Sequence, residues 1–440
     1  MTDEHNPKAR KHFVSVISQQ VSGNLKRVPY IAIDNNEISY KQPVHFPIVP
    51  LIAAFVNAED HFTLTTIMAL GDSEDKNRNI SENHQILIDE IEEIQTNSNI
   101  SFSFDENVIY TPYDSNPLSL VELTNAVVSE VQAGDSLFVC MTYGEKPDTL
   151  ALYQALLEIF TNSRATLDVS IELLIYGQYT QNAPHGTIRD ITNFVKRGVW
   201  LDAAAWVETT TLETNDIKPT NLTKHYLTVM PPNANIKSAQ WHNEHTDQAI
   251  YIPVVFPIIP ILAQSIAEGD EILVSTIVFD STDNEQVLEA MERNQTILQA
   301  EINEVRRQSG IDFTWRTEVI NTPYNSTNST LNQLCDNIKA SISEGDSLYV
   351  CLTFGLKTIT IAIQQAISEV LAQKPWLIDI AYCVYGNQLW GTTEPPRLKN
   401  ITTFVYNQVM ELILRRSNRR DSKAIREILL SIKAEDDEDE

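Results

Sequence analysis

Five segments of this chain occur twice, in the same order and nearly the same register. HFPIVPLIAA at His45 returns as VFPIIPILAQ at Val255, an offset of 210 residues. YTPYDS at Tyr110 returns as NTPYNS at Asn321, and GDSLFVCMTYG at Gly134 returns as GDSLYVCLTFG at Gly345, both at an offset of 211. IYG at Ile175 pairs with VYG at Val384, and DITNFV at Asp190 with NITTFV at Asn400. The period far exceeds the roughly 20 to 50 residues of solenoid repeats, so each copy is expected to be a whole domain. The 440 residues then divide into an N-terminal segment (1–11), a first domain (12–207), a linker (208–223), a second domain (224–414) and a C-terminal helix with an acidic tail (415–440). The linker is polar and Thr-rich and carries Pro219.

Within each copy, apolar runs of strand length alternate with stretches of helical spacing. HFVSVIS (12–18), HFTLTTIMAL (61–70), SLFVCM (136–141) and DVSIELLIYG (168–177) read as buried strands of the first copy. HYLTVM (225–230), EILVSTIVFD (271–280), SLYVCL (347–352) and IDIAYCVYG (378–386) are their equivalents in the second. Charged or amphipathic segments such as 83–94 and 289–305 follow the second strands, and TLALYQALLEIF and TITIAIQQAISEVL follow the third. This alternation predicts an α/β fold: two tandem Rossmann-like domains with mostly parallel sheets and helices on both faces. No Gly-x-Gly-x-x-Gly follows a strand, so ordinary dinucleotide binding is disfavoured.

Composition removes other classes. A formal net charge of −27 argues against coating long nucleic acid through a basic surface, though it leaves room for a local positive pocket. The four cysteines, Cys140, Cys335, Cys351 and Cys383, lack the close spacing of a zinc site, so no metal is expected, and most read as small core residues. No apolar signal core and no run of about 18 apolar residues is present, so a cytoplasmic protein without membrane contact is expected.

The repeated corner carries the chemistry. Thr142-x-Gly144-x-Lys146 and Thr353-x-Gly355-x-Lys357 each end a strand and open a helix. Ligands of open α/β sheets sit beyond the carboxyl ends of the strands. The glycine permits a tight turn, and the helix N–H groups with the lysine suit a phosphate or other anion. The threonine hydroxyl can donate to a phosphate or a base edge. The same residues also suit a plain turn with a solvated lysine. Other loops should reach the same crevice: Ser18-Gln19-Gln20, Pro232-Asn233, Ser73, Ser281-Thr282, and the loops of Tyr113 and Tyr324. The Pro-Tyr pairs serve equally as packed loop anchors.

These residues resemble the CRISPR-associated Rossmann fold, the CARF domain, in which a strand preceded by EGD ends in Thr-x-Gly-x-Lys or Arg. GDSLFVCMTYGEKP and GDSLYVCLTFGLKT look like its fourth strand and corner, and the Tyr-Gly strand ends followed by DITNFV and NITTFV resemble a later segment of one branch. Many relatives in that branch carry an acid just before the corner threonine. Met141 and Leu352 stand there instead. The resemblance implies a cyclic oligoadenylate ligand, the second messenger of type III CRISPR defence, with tetra-adenylate first and hexa-adenylate as the alternative. It would lie across a pseudo-two-fold site between the copies, with no cofactor.

No effector domain is visible. Arg78 and His84 match an Arg-x5-His spacing but have no counterpart in the second copy, and the pair reads as coincidence. Slow, metal-independent cleavage of the ring is the expected outcome of binding, with a sensor and a sponge as alternatives. The protein would then be a ring nuclease, with a ribose 2′-OH attacking the adjacent phosphate and Lys146 and Lys357 as catalytic residues stabilising the developing charge. It could be a sensor acting on a partner protein through the C-terminal helix. It could also be a sponge that holds the ring. The mismatches Glu145 with Leu356 and Tyr143 with Phe354 make the site only approximately symmetric.

Overall fold

The computed structural model describes residues 10–71, 73–166, 169–179, 183–196, 223–233, 236–243, 248–280, 285–324, 326–373, 378–387 and 395–407. The first half forms β1 (Arg10–Val16), β2 (Val28–Ala32), β3 (Tyr40–Val44), α1 (Ile48–Phe55), β4 (His61–Leu70), α2 (Glu74–Ser98), β5 (Ser103–Pro112), α3 (Pro117–Glu130), β6 (Asp135–Cys140), α4 (Lys146–Thr166), β7 (Ser170–Gln178) and β8 (Gly186–Asp190). The second forms β9 (Thr223–Val229), β10 (His242–Asn243), α5 (Ile258–Ser265), β11 (Glu271–Phe279), α6 (Glu285–Ser309), β12 (Thr314–Thr322), α7 (Asn328–Ser341), β13 (Asp346–Cys351), α8 (Lys357–Gln373), β14 (Asp379–Asn387) and β15 (Arg397–Asn400).

The first sheet has the order β3-β2-β8-β7-β6-β1-β4-β5, and the second β10-β15-β14-β13-β9-β11-β12. In each, five consecutive strands, ending at the edge with β5 or β12, are parallel and doubly wound, because β1 and β9 sit beside the strand that begins the return half of the sheet. The α/β fold class read from the sequence is therefore found in both halves. Not every strand is parallel: β8 and β15 run antiparallel to β7 and β14, and the first sheet gains an antiparallel β2–β3 pair. β1 also begins at Arg10, two residues before the apolar run. The segment 208–222 and the C-terminal helix and tail (415–440) lie outside the described residues.

Each central strand trio is pinned by the same buried polar chain. His12 Nδ1 lies 3.0 Å from Asp135 Oδ2 and its Nε2 2.8 Å from Thr65 Oγ1. His225 repeats this with Asp346 at 3.0 Å and Ser275 at 2.8 Å. All six side chains are buried, so the Asp-His-Ser order reflects register rather than an exposed nucleophile. Burial works against ionised Asp135, yet hydrogen bonds from His12 and Arg10 hold it down at about 2.

Helices α4 and α8 join the halves. Leu150 to Ile159 and Thr358 to Leu371 are buried residue by residue, on every side of each helix. A helix without a solvated face must be covered all round. Here α4 packs against α3, α8 against α7, and α4 and α8 against each other. One apolar cluster consequently runs from Val14, Leu137 and Leu156 in the first half to Ile361, Val350 and Phe256 in the second. The opposite face of the first sheet has its own core around Phe13, Phe62, Ile48 and Ile91.

Candidate functional site

The corner after β6 lies at the topological switch point, where the chain leaves β1 toward β4 and leaves β6 toward β7. Its glycine is conformationally required. Gly144 has φ of +85° and a Cβ there would stand 2.8 Å from Val16 Cγ1; Gly355 has φ of +84° and would meet Val229 Cγ1 at 2.7 Å. The corner threonines turn toward the neighbouring strand. Thr142 Oγ1 accepts from Gly177 N at 2.7 Å, and Thr353 Oγ1 accepts from Gly386 N at 2.7 Å. Cys140 and Cys351 Sγ lie 3.1 and 3.2 Å from the same hydroxyls. Each Thr thus fastens its corner to the Tyr-Gly strand end, which explains why the two segments recur together.

The lysines do something the sequence did not suggest. Lys146 Nζ donates to the carbonyl oxygens of Leu352 (2.7 Å), Thr353 (2.8 Å) and Phe354, all in the other half. Lys357 Nζ donates to the carbonyls of Thr142 (2.9 Å) and Tyr143. The two corners therefore face each other about a pseudo-two-fold axis, and each lysine ties off the strand end of the opposite copy. Burial lowers both ammonium groups to about 7.

Symmetry ends at the carboxylates. Asp148 Oδ2 accepts from Glu145 N at 2.8 Å, the reciprocal half of a capping box at the start of α4. Glu145 accepts from Tyr113 Oη at 2.6 Å and Ser115 Oγ at 2.9 Å, and lies 3.9 Å from Lys399 of the second half. Burial and then Glu145 raise Asp148 to about 6, with Lys357 and Lys399 pulling the other way. Leu356 and Ile359 occupy these positions in the second copy. There Ser326 Oγ instead meets Thr358 Oγ1 at 2.7 Å.

Tyr113 and Tyr324 both reach the crevice. Tyr113 takes Lys76 and Lys399 over its ring at 5.3 and 5.8 Å and hydrogen bonds with Asn387. Tyr324 hydrogen bonds with Gln178 of the first half. The remaining candidates lie at the same strand ends but make no hydrogen bond to either corner among the described residues. Ser18 is buried, with its carbonyl and that of Gln20 held by Asn83 Nδ2 at 2.8 Å each. Gln19 is only 3.5 Å from Ala69 O. Asn233, beside Pro232, is held through its carbonyl by Asn294 at 3.1 Å. Ser73 is exposed at the start of α2, and Ser281 and Thr282 lie outside the described residues. Arg78 pairs with Asp75, and His84 with Glu106, so their spacing assembles no site.

Sequence reasoning missed Asn83 and Asn294, Asp148, Arg189 and Lys399. The asparagines occur in matching NHQIL and NQTIL segments 211 residues apart, a signal that could have found them. A separate cavity of about 430 Å³, lined by Glu318, Asn321, Gln333 and Asn337, lies against the edge strand β12 and includes no candidate residue. Among the described residues there is no His, Cys, Asp and Glu group suited to a metal, and no helix long and apolar enough to cross a membrane. No protein-family model and no curated protein matches this chain.

Proposed function

We propose that the chain binds a cyclic oligoadenylate in the crevice between its two copies, at the carboxyl ends of both sheets, as a cytoplasmic component of type III CRISPR defence. The reciprocal lysine exchange carries this reading, since it sets two like corners face to face about one pseudo-two-fold axis. A ring ligand of similar symmetry can contact both at once. Lys146, Lys357, Lys399 and Arg189 supply positive charge in an acidic chain. Tyr113 and Tyr324 offer rings on which a base can stack.

The lysine geometry favours sensing over ring cleavage. An ammonium has three N–H groups, and Lys146 has given all three to carbonyls. To stabilise a transition state it would first have to leave the opposite corner. A ligand that draws a lysine away would instead loosen the coupling between the halves, a response suited to a sensor. The test is incubation of the full chain with labelled cyclic tetra-adenylate and cyclic hexa-adenylate. Tight binding with intact ring recovered is expected. Linear products lost on replacing Lys146 and Lys357 would restore the ring-nuclease reading, and failure to bind either ring would refute the proposal.

A further inference from the structure

Arg189 and Lys399 occupy corresponding places, on β8 and β15. Each lies directly across an antiparallel pair from the tyrosine of its Tyr-Gly strand end: Tyr176 pairs with Arg189, and Tyr385 with Lys399. Residues paired in this way share a face of the sheet. Both tyrosines face the crevice. Burial and then Tyr324 of the second half raise Tyr176, while burial and then Glu145 and Tyr113 of the first half raise Tyr385. Asp190, next to Arg189, accepts from Asn328 Nδ2 of the second half at 2.9 Å.

The two cations have different surroundings. Lys399 crosses to the carbonyl of Asp114 and approaches Glu145. Among the described residues, Arg189 Nε is shut off from solvent and has no hydrogen-bond partner. Asp34 acts on Arg189 only at a distance, without a hydrogen bond between them among the described residues. The carboxylate that answers Lys399 has Leu356 as its counterpart. Leaving the one Nε–H buried and unpaired is costly, while the four N–H groups at the end of the partly buried guanidinium remain free to meet a ligand. The fork suits a phosphate, which it can hold in two parallel hydrogen bonds.

We propose that Arg189 is the anion receptor of the crevice, taking one phosphate group on the side of the site where Leu356 stands in place of a corner carboxylate. The identity of the ligand as a cyclic oligoadenylate rests on the function proposed above; the anion site itself rests on the unpartnered guanidinium. The two sides of the site then recognise the ligand unequally, with the side of Glu145 and Lys399 closed to phosphate and the side of Arg189 and Leu356 open to it.

The experiment titrates cyclic tetra-adenylate and inorganic pyrophosphate into the full chain and its R189Q, R189K and L356E variants, by calorimetry and thermal denaturation. R189Q should lose roughly ten- to hundredfold in affinity for both probes, the scale of one or two charge-assisted hydrogen bonds. Without ligand it should melt no lower than the parent, because it removes a half-buried cation whose Nε–H is enclosed and unpaired. L356E places a carboxylate where Glu145 stands in the other half, so it should raise the melting temperature and compete the anion away. R189K should recover part of the affinity. Parental affinity of R189Q for both probes overturns the assignment, as does an L356E chain that binds both unchanged. Arg189-dependent pyrophosphate binding without ring binding keeps the anion site and removes the oligoadenylate reading. Ring binding indifferent to Arg189 does the reverse, and binding of neither probe removes both.

Discussion

Replacing Gly144 by alanine tests whether the corner glycine serves the fold or only a ligand's approach. The conformational cost is that of a non-glycine residue at φ +85°, about 1 kcal/mol. The added methyl would also stand 2.8 Å from Val16 Cγ1 and 3.2 Å from Asp148 Oδ2. Val16 is buried in the central strand, and Asp148 is held by Glu145 N at 2.8 Å, so neither can retreat freely. Overpacking of this kind costs about 1 to 3 kcal/mol more, for a total of about 2 to 4. Gly134 provides the control, with φ of +81° and nothing within 4 Å of its virtual Cβ. G134A should therefore cost only about 1 kcal/mol. A double-mutant cycle isolates the contact: V16A removes the opposing methyl, so G144A in that background should lose about 1 to 2 kcal/mol less than in the parent. Urea denaturation followed by circular dichroism gives the four stabilities. If G144A costs no more than G134A, or if the cycle is additive within about 0.5 kcal/mol, the steric account of the corner fails.

Other outcomes follow from the buried charges. Burial lowers Lys146 and Lys357 to about 7 from an ordinary value of 10.5, so the folded chain binds fewer protons than the unfolded one in that window. Stability should rise with pH between about 7 and 10.5, and K146M should flatten the rise in pH-dependent melting curves. Glu301 shows the opposite sign: burial raises it to about 7 from 4.5, so stability should fall as pH climbs through that window. E301Q, whose amide oxygen can keep the shorter bond from Val255 N but gives up the one from Phe256 N, should remove the fall. D346A strips His225 and Ser343 N of their shared acceptor and should cost about 2 to 4 kcal/mol in urea denaturation, whereas a loss below 1 would contradict a register-fixing role.

How far the sequence could be read depended on what each residue meets. The four inner parallel strands of each sheet are mostly continuous apolar runs, as in SLFVCM and SLYVCL. The edge strands escaped notice because one side of each is wet: SFDENVIYTP alternates with charges. β2 and β3 carry Pro29 and Pro43, which read as loop signals although a strand at a sheet margin tolerates them. The corners were legible as a matched pair. That Lys146 and Lys357 are buried was not, since a lysine at a helix start normally reaches water and only the meeting of the two copies supplies carbonyl acceptors for its N–H groups.

A fused pair has a freedom that a two-fold dimer lacks. In a homodimer an acid at the corner appears on both sides of the axis, so a carboxylate that answers one lysine must be repeated opposite the other. Here Glu145 and Asp148 face Lys357 and Lys399, while Leu356 and Ile359 leave Lys146 to its carbonyls and Arg189 without a carboxylate hydrogen-bonded to it. The first arrangement compensates charge within the protein. The second leaves positive charge that a ligand can compensate. On the function proposed, a symmetric ring would gain its strongest single contact on the Arg189 side, and equivalent phosphates of that ring could take the place in turn. Swapping the two halves' corner residues, with E145L combined with L356E, should move that contact to Lys399 rather than abolish binding. Complete loss of ring affinity in a folded double variant would show that the asymmetry is set elsewhere in the crevice.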